Sequence, residues 1–485
     1  MRRIAVLLAS LLALCATSTA GVAACPSGLL GVTWTVCLES DSGAYKDAGT
    51  TLAVNNDTVQ QWNDASGNAN NATQSTALNR PPFKTSIVNG LPVLRCDGSS
   101  SFMLGPNVFP TTQSYTLIVV SVQRGTSTGN LVSGATSHAL FYNSTDTVKV
   151  SEGGTTQLTS TTPTGVGVVA VDILGVYNSS NTTAAHAEAF NLTVNGNYNT
   201  GIADTSVNAS DTALQICAFN STNFGQVDIL AVYLASGLLN LTNTNAATSY
   251  VNSKYGTTIA KFGTARQHIV FADSMGVGFL GQPPFAMIAP NDQHAFAVNL
   301  GSQGAYMLDL KNSSASAVNP LLISAPTLGQ SFITILAGGN DLVLGGRTAA
   351  QVYADFQTLC SNLHAANSNT LVGIIDMPPR SAGSEAARTT LNGDYDADTC
   401  ADYHVKTTCN VAMWAAGANT NSLWYANDNL HPNANGHSII AGCLEAAIAG
   451  LSINAPVGSA SHASLKQPAN DNDLPFQMVA GERRR

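Results

Sequence analysis

The sequence contains few charged residues, and the basic ones are in the minority. Asp, Glu, Lys and Arg make up 10% of its 485 residues, against roughly 25% in an average soluble protein. The 29 acidic residues outnumber the 20 basic ones, which gives a formal net charge of -9. This balance argues against nucleic-acid binding, which needs a basic surface to replace phosphate counterions. The 44% of hydrophobic residues also argues against a long disordered chain.

The sequence also lacks the short motifs of common metal sites. It has no Cys-x-x-Cys pair and no His-Glu-x-x-His segment, so neither a structural zinc site nor a zinc protease is indicated. We therefore expect no metal and no cofactor. Its one long apolar run, residues 4–15, is shorter than the ~20 residues needed to span a bilayer.

The N-terminus has the layout of a secretory signal peptide. A basic start precedes the apolar run, and small residues follow it as far as Ala24. We predict a signal peptide over residues 1–24 and a secreted, periplasmic or cell-surface location. The segment before Cys25 also resembles a lipoprotein cleavage box, and only lipidation of Cys25 would place the protein on a membrane. Loss of Cys15 with the signal leaves eight cysteines, an even number that favours disulfides and free secretion.

The rest of the chain divides into two regions and a tail. Residues 25–262 contain short β-rich runs separated by Gly, Asn, Thr and Ser, which predicts an all-β sandwich or jelly roll. Residues 266–452 alternate strand-like apolar runs with helical patterns, which predicts a parallel sheet covered on both faces. Residues 453–485 show no periodicity, and we predict that they are a disordered tail.

The first region carries several motifs of one known module. They are Val59–Ala72, Arg80-Pro81, Asn89-Gly90, Asp97-Gly98, Gly225–Tyr233 and Tyr250–Gly256. Together they resemble the concanavalin-like (laminin-G-like) jelly roll of exported bacterial proteins, over roughly residues 30–260. This fold often binds glycans, although a fold does not fix a function. Trp62 is either a sugar-stacking platform or a core or rim residue that organises the long loop, and we favour the structural position.

Two cysteines depart from the pattern of that module. Cys96 stands where the family usually has an aromatic residue, and Cys217 stands where it usually has a small one. Both would lie in strands of one sandwich, so the resemblance implies a Cys96–Cys217 disulfide. Cys25 and Cys37 are the other pair that we expect in this region.

Three segments of the second region follow strands or lie in a late loop, where sites form in open α/β sheets. Ester hydrolysis needs a nucleophile, a base, a group that orients the base, and donors for the oxyanion. Ser274 can attack, His431 can accept its proton, and Asp428 can hold the other imidazole nitrogen. Asn340 offers an amide donor. The segments are Phe271–Gly276, Gly338–Asp341 and Asp428–Asn433.

The order Ser, Gly, Asn and Asp-x-x-His resembles the SGNH (GDSL-like) esterase and lipase family. Asn299–Gly304 supplies the glycine block, Asn-x-Gly-x-x-Gly. The resemblance implies a flavodoxin-like α/β/α fold. It also implies an oxyanion hole formed by the N–H groups of Ser274 and Gly304 and by the Asn340 amide. Ala272 replaces the usual glycine before Asp-Ser, and we expect a modest effect because alanine is the smallest alternative.

Each residue also has a purely structural interpretation. Ser274 and Asp428 could cap helices, and Asn340 could shape a turn. His437 is a nearby rival to His431, but it falls inside the predicted last helix and lacks the Asp-x-x spacing. The joint occurrence of the segments in the family's order favours catalysis.

The last four cysteines leave their pairing open. Cys400 and Cys409 flank a short polar loop ahead of the Asp-x-x-His segment, and a local disulfide between them would brace it. Cys360 and Cys443 fall in predicted helices, where they either pair or remain core thiols.

The predicted protein is a secreted, monomeric serine esterase with an N-terminal jelly roll. It would hydrolyse acyl esters through an acyl-Ser274 intermediate, and acetylated polysaccharide is one candidate substrate. The alternative function is that of a surface glycan-binding or adhesion protein whose hydrolase domain is idle.

Overall fold

The computed structural model describes residues 25–451, and the predicted signal peptide and tail lie outside the described residues. The description omits 111–112, 126–128, 136–137, 143–146, 153–154, 161–164, 181, 183–186, 203–210, 212, 263–265, 277–295, 324–329, 381–383 and 450. Within the described ranges, no helix combines the length and the hydropathy required to cross a membrane.

The N-terminal region is a sandwich of two antiparallel sheets, which confirms the predicted all-β module. The first sheet has the order β15-β14-β13-β8-β19-β6-β5, with β1 also paired to β19, and the second has the order β12-β11-β10-β9-β16-β7-β4-β3-β2. The strands are β1 (Thr33–Glu39), β2 (Ala44–Tyr45), β3 (Gln61–Trp62), β4 (Ala72–Thr73), β5 (Phe83–Val88), β6 (Leu91–Arg95), β7 (Met103–Gly105), β8 (Tyr115–Gln123), β9 (Gly129–Gly134), β10 (Ala139–Tyr142), β11 (Val148–Glu152), β12 (Thr155–Thr159), β13 (Val169–Ser179), β14 (Ala187–Val194), β15 (Asn197–Ile202), β16 (Leu214–Ile216), β17 (Ala218–Phe219), β18 (Asn223–Phe224) and β19 (Val227–Ser236).

The central strands of the first sheet are apolar at nearly every position because both of their faces are covered. Strand β8 is buried along its whole length. Leu117 and Val119 face the second sheet, whereas Ile118 and Val120 pack on the other side with residues of helix α1 (Leu241–Tyr255). The uninterrupted run in β8 therefore reflects burial on two sides, as in parallel sheets.

The C-terminal region is a five-stranded parallel sheet with helices. Its strand order is β21-β20-β22-β23-β24, the flavodoxin-like order 2-1-3-4-5, which confirms the predicted α/β fold. The elements are β20 (Arg266–Ala272), β21 (Phe296–Asn299), α2 (Met307–Ala317), α3 (Asn319–Ile323), β22 (Gln330–Leu336), α4 (Gly339–Val343), α5 (Ala349–Ala366), β23 (Thr370–Ile375), α6 (Glu385–Asp396), β24 (Tyr403–Val405), α7 (Val411–Trp414) and α8 (Ala434–Ala449).

The periodic helix between two strands forms as its spacing predicts. In α5, the side chains of Val352, Phe356, Leu359 and Leu363 are fully buried in one core with β22 and β23. Thr348 caps the helix by accepting the Gln351 N–H, and the Gln351 side chain accepts the Thr348 N–H in return.

Two disulfides join the cysteines of the jelly roll, Cys25 to Cys37 and Cys96 to Cys217. The second links the end of β6 to the residue after β16, and so connects the two sheets of the sandwich.

The local Cys400–Cys409 bridge expected from the sequence is wrong. Cys400 bonds to Cys360 of α5, and Cys409 bonds to Cys443 of α8. Strand β24 runs between Cys400 and Cys409, and an extended segment carries its two ends apart, beyond the short Cα separation that a disulfide needs. The two helical cysteines are therefore bridged rather than core thiols.

Candidate active site

Ser274 lies in a tight turn at the carboxyl end of β20. The Asp273 N–H donates to the Leu336 carbonyl at 3.0 Å, which fixes the turn to neighbouring β22. The Asp273 carboxylate accepts the Met275 N–H at 2.9 Å. Ser274 is only 7% exposed, so its hydroxyl is held in a mostly enclosed position.

His431 is hydrogen-bonded to Ser274 on one side and to Asp428 on the other. Ser274 Oγ lies 2.8 Å from His431 Nε2, and Asp428 Oδ2 lies 2.6 Å from His431 Nδ1. The other oxygen, Asp428 Oδ1, accepts the N–H groups of Leu430 and His431 at 3.0 and 3.1 Å. The three-residue spacing thus closes a turn that aims the carboxylate at the imidazole.

The electrostatics leave the imidazole able to take a proton. Burial lowers the pKa of His431; the hydrogen bond and charge of Asp428 oppose that shift, and the charge of Arg380 adds to it. The pKa of Asp428 is also lowered, because hydrogen bonds from His431 and Leu430 outweigh the effect of burial. At neutral pH the site therefore holds a neutral imidazole beside a carboxylate, the pairing that a general base requires.

Asn340 lies at the carboxyl end of β22, at the start of α4. Gly338, with φ 119°, turns the chain from strand to helix in a conformation that favours glycine. The Asn340 Nδ2 donates to the Ala305 carbonyl at 3.0 Å and lies 3.4 Å from Asp273 Oδ2. Its amide is therefore directed toward the turn that carries the serine.

The residues between β21 and α2, 300–306, form what we call the glycine loop. The Asn299 side chain accepts the Gly301 N–H at 2.8 Å, and the Ser302 N–H donates to the Ala272 carbonyl at 3.0 Å. Gly304 has φ 74°, again a left-handed conformation. The loop consequently runs beside the end of β20, next to the serine turn.

Arg380 is a residue of this region that sequence reasoning missed. Its Nη1 donates to Asn340 Oδ1 at 3.1 Å, and burial lowers its pKa. Nearby Asp273 is fully buried, and burial raises its pKa to about 7. Arg380 follows β23, at the same edge of the sheet as Ser274 and Asn340, so the strand-end argument used for those residues would have found it.

The rival histidine, His437, lies on the last helix rather than in the Asp-x-x-His turn. His437 belongs to α8, is 1% exposed, and burial lowers its pKa to about 4. Its backbone N–H donates to the Asn433 carbonyl. The histidine that is hydrogen-bonded to Ser274 Oγ is His431, through its Nε2.

Two groups of candidate metal-ligand atoms occur in the described part of the chain, and each already has other partners. In the first, Cys360 and Cys400 are joined in a disulfide, which leaves no thiolate beside His364. In the second, His404 Nε2 lies 2.7 Å from Asp376 Oδ1, and Lys406 pairs with Asp396 at 3.1 Å. Both arrangements are accounted for by disulfide or ion-pair contacts.

Trp62 of the jelly roll occupies the core position. Its side chain is 0% exposed, and its indole N–H donates to the Glu39 carbonyl at 2.9 Å. It is therefore not a surface platform on which a sugar could stack.

The comparisons with known proteins concern the C-terminal region. Residues 273–439, less than half of the chain, match the GDSL-like Lipase/Acylhydrolase family. No curated protein sequence matches the chain. Among solved structures, the chain is similar to the psychrotrophic esterase EstA from Pseudoalteromonas sp., at 13% identity over 38% of this chain and 96% of that chain, with a TM-score of 0.29.

Two further structures are similar at the same low level. One is a carbohydrate esterase family 3 protein from Talaromyces cellulolyticus, at 17% identity over 37% of this chain and 93% of that chain, with a TM-score of 0.29. The other is the lipase/acylhydrolase from Enterococcus faecalis, at 16% identity over 38% and 96%, with a TM-score of 0.30. The family match at residues 273–439 assigns this region to the GDSL-like lipase/acylhydrolases, which makes it a serine ester hydrolase domain of the SGNH type.

Proposed function

We propose that the protein hydrolyses acyl esters with Ser274 as nucleophile, His431 as general base and Asp428 as the group that orients and stabilises the base. The observation that carries this assignment is the continuous hydrogen-bonded path from Ser274 Oγ through the imidazole to Asp428, with contacts of 2.8 and 2.6 Å. The lowered pKa of His431 supports the same roles, since the base must be neutral to act.

The chemistry follows from that path. Ser274 Oγ attacks the ester carbonyl carbon while its proton moves to His431 Nε2, and the carbonyl oxygen takes the negative charge. We assign the stabilisation of that charge to the N–H groups of Ser274 and Gly304 and to the Asn340 amide. The imidazolium then protonates the departing alcohol, and a water molecule, deprotonated by His431, releases the acid from Ser274.

We further propose that the protein is exported and that it consists of a jelly-roll domain over residues 25–262 and a hydrolase domain over residues 266–452. The four disulfides support an oxidising compartment. The sulfur of Cys25 is bonded to Cys37, which favours free secretion over lipidation of that residue.

The substrate class that we propose is acetyl esters carried by polysaccharides, by analogy with the many jelly rolls of this kind that bind glycans. Because Trp62 is buried, stacking on that side chain does not support it. A panel of acetylated polysaccharides, short-chain esters and lipids tests the choice by the acid released. Faster release from lipids than from acetylated polysaccharide would contradict it.

The catalytic assignment is tested with short-chain p-nitrophenyl esters on the wild type and on Ser274→Ala. We expect the substitution to abolish turnover. Ser314→Ala is the matched control, because Ser314 is also buried (2% exposed) in the same region and its hydroxyl donates to the Lys311 carbonyl of its own helix. Equal rates for wild type and Ser274→Ala would refute the assignment and would favour an adhesion protein with an idle domain.

A further inference from the structure

The jelly roll makes direct hydrogen bonds to the strand that leads into the glycine loop. β21 is the edge strand of the parallel sheet, and the outward backbone groups of an edge strand have no partner in their own sheet. At Asn299 the side chain of Asn191, from β14 of the jelly roll, forms hydrogen bonds with both the backbone N–H and the backbone carbonyl. Asn191 Oδ1 accepts the Asn299 N–H at 2.7 Å, and Asn191 Nδ2 donates to the Asn299 carbonyl at 3.1 Å.

This pair of hydrogen bonds is well enclosed. Asn191 is 8% exposed and Asn299 is 2% exposed. The hydroxyl of Tyr198 on β15 also donates to Asn191 Oδ1. This contact within the jelly roll fixes the orientation of the Asn191 amide toward the hydrolase region. A buried backbone N–H or carbonyl that loses its partner is costly, and the position of Asn299 therefore depends on Asn191.

Two more contacts join the jelly roll to the middle and the far end of the loop. Ser179 Oγ, at the end of β13, lies 2.9 Å from Ser302 Oγ. The Thr182 hydroxyl and N–H donate to the Asp309 carboxylate at 2.7 and 3.1 Å. Asp309 in turn accepts the Tyr306 N–H at 2.8 Å, where the loop enters α2. The jelly roll thus holds the glycine loop near its start, its middle and its end.

The position of this loop affects more than one proposed oxyanion donor. Gly304 belongs to it, and the next residue, Ala305, accepts the Asn340 amide at 3.0 Å. On its other side the loop is bonded to the strand before Ser274, through the Ser302 N–H and the Ala272 carbonyl at 3.0 Å. A displacement of the loop would therefore move Gly304 and release Asn340 at the same time.

We propose that Asn191 and Ser179 of the jelly roll are positioning residues of the oxyanion hole, so that the N-terminal domain is a required part of the catalytic unit. The proposal rests on the function proposed above. It assigns to the jelly roll a role in the rate of the chemical step, separate from any affinity for glycans. Misplacement of a catalytic group by ~1 Å can cost about 10²-fold in rate, so loss of these contacts is expected to be measurable.

The test compares Asn191→Ala and Ser179→Ala in the full chain. We expect kcat for p-nitrophenyl acetate to fall about 10- to 100-fold in the first and less in the second, with KM little changed, because the affected contacts act on the transition state. Ser179→Ala removes one hydroxyl near a strand end, so it provides a measurement even if Asn191→Ala folds poorly.

Asn178→Ala is the matched control. Asn178 lies beside Ser179 on β13, is 5% exposed, and bonds to the Pro110 and Gln113 carbonyls inside the jelly roll. It should lower the melting temperature while kcat stays within about twofold of wild type, because its side chain bonds to the segment around Pro110 and Gln113 rather than to the glycine loop. Equal falls in kcat for Asn178→Ala and Asn191→Ala would overturn the proposal, because general destabilisation would then explain both.

A second readout reports on the oxyanion hole itself. A p-nitrophenyl alkylphosphonate reacts when Ser274 Oγ bonds to phosphorus, its proton passes to His431 Nε2 and p-nitrophenolate leaves, with the phosphoryl oxygen at the oxyanion position. We expect the phosphonylation rate of Asn191→Ala to fall in parallel with kcat. An active wild type with full-rate Asn191→Ala and Ser179→Ala would overturn this proposal alone. A wild type that neither hydrolyses the ester nor reacts with the phosphonate would overturn the proposed function as well.

Discussion

Removal of the Arg380 guanidinium should change both the rate and the pH profile of the esterase. Arg380 Nη1 bonds to Asn340 Oδ1 at 3.1 Å, and that contact turns the Asn340 amide nitrogen toward Ala305 and Asp273. Its positive charge also lowers the pKa of His431. Arg380→Gln removes the charge, so it should misorient the amide and raise the pKa of the base.

The size of the rate effect follows from the hydrogen bond. A hydrogen bond to a charged group contributes about 1.5–3 kcal/mol, and loss of a whole oxyanion donor costs about 2.7–4 kcal/mol. Because Asn340 remains and loses only its orientation, we expect a fall in kcat of about 10- to 100-fold, or about 1.4–2.7 kcal/mol. The acid limb of kcat/KM reports the free enzyme's base, and it should move to higher pH.

Steady-state kinetics from pH 4.5 to 8.5 on a second variant separate the effect of amide orientation on kcat from the effect of charge on the acid limb. Arg380→Lys keeps the charge but loses the planar donor geometry, so kcat should fall while the acid limb stays near the wild-type pH. Lys406→Gln removes an exposed cation that pairs with Asp396, and should change neither quantity. If Arg380→Gln retained wild-type kcat and an unshifted acid limb, the assigned role of Arg380 would be refuted.

Three more outcomes follow from the same structure. Asp428→Asn should lower kcat on the order of 10³- to 10⁴-fold and move the acid limb to lower pH, because the Asp428 charge favours the protonated form of His431; an unchanged pH profile would count against that pairing. Asp172 is fully buried, neither of its oxygens has a hydrogen-bond partner in the described structure, and burial raises its pKa to about 8. The folded protein therefore holds this proton up to pH ~8 while the unfolded chain releases it near pH ~4, so stability should decline as pH rises across that interval. Asp172→Asn should flatten the decline in thermal melts from pH 5 to 9, and parallel curves for variant and wild type would show that this carboxyl is not its source. Replacement of Cys96 and Cys217 by Ala should lower the free energy of unfolding by about 5 kcal/mol through loop-closure entropy, measured by denaturant titration, and a loss below about 1 kcal/mol would exclude that account.

The sequence alone determined the fold class and the identity of the region that carries the chemistry. Apolar runs in β20 and β22 and the helical spacing in α5 are local properties, because strand and helix periodicities are short-range. The Asp-x-x-His spacing is equally local: Asp428 reaches the His431 ring and backbone within one turn. Residues such as Ser274 and Asn340 could be selected because each follows a strand, and parallel strands end at a common edge.

Only the tertiary structure decided which distant residues meet. Cys400 and Cys409 are close in sequence, yet β24 carries them to different helical partners. Arg380 has no motif of its own, and its contact with Asn340 exists only because β22 and β23 are neighbours in the sheet. The hydrogen bonds of Asn191 to Asn299, the residue before the glycine loop, join residues 108 positions apart. No short-range pattern encodes such contacts, because they arise from the packing of one folded region against another.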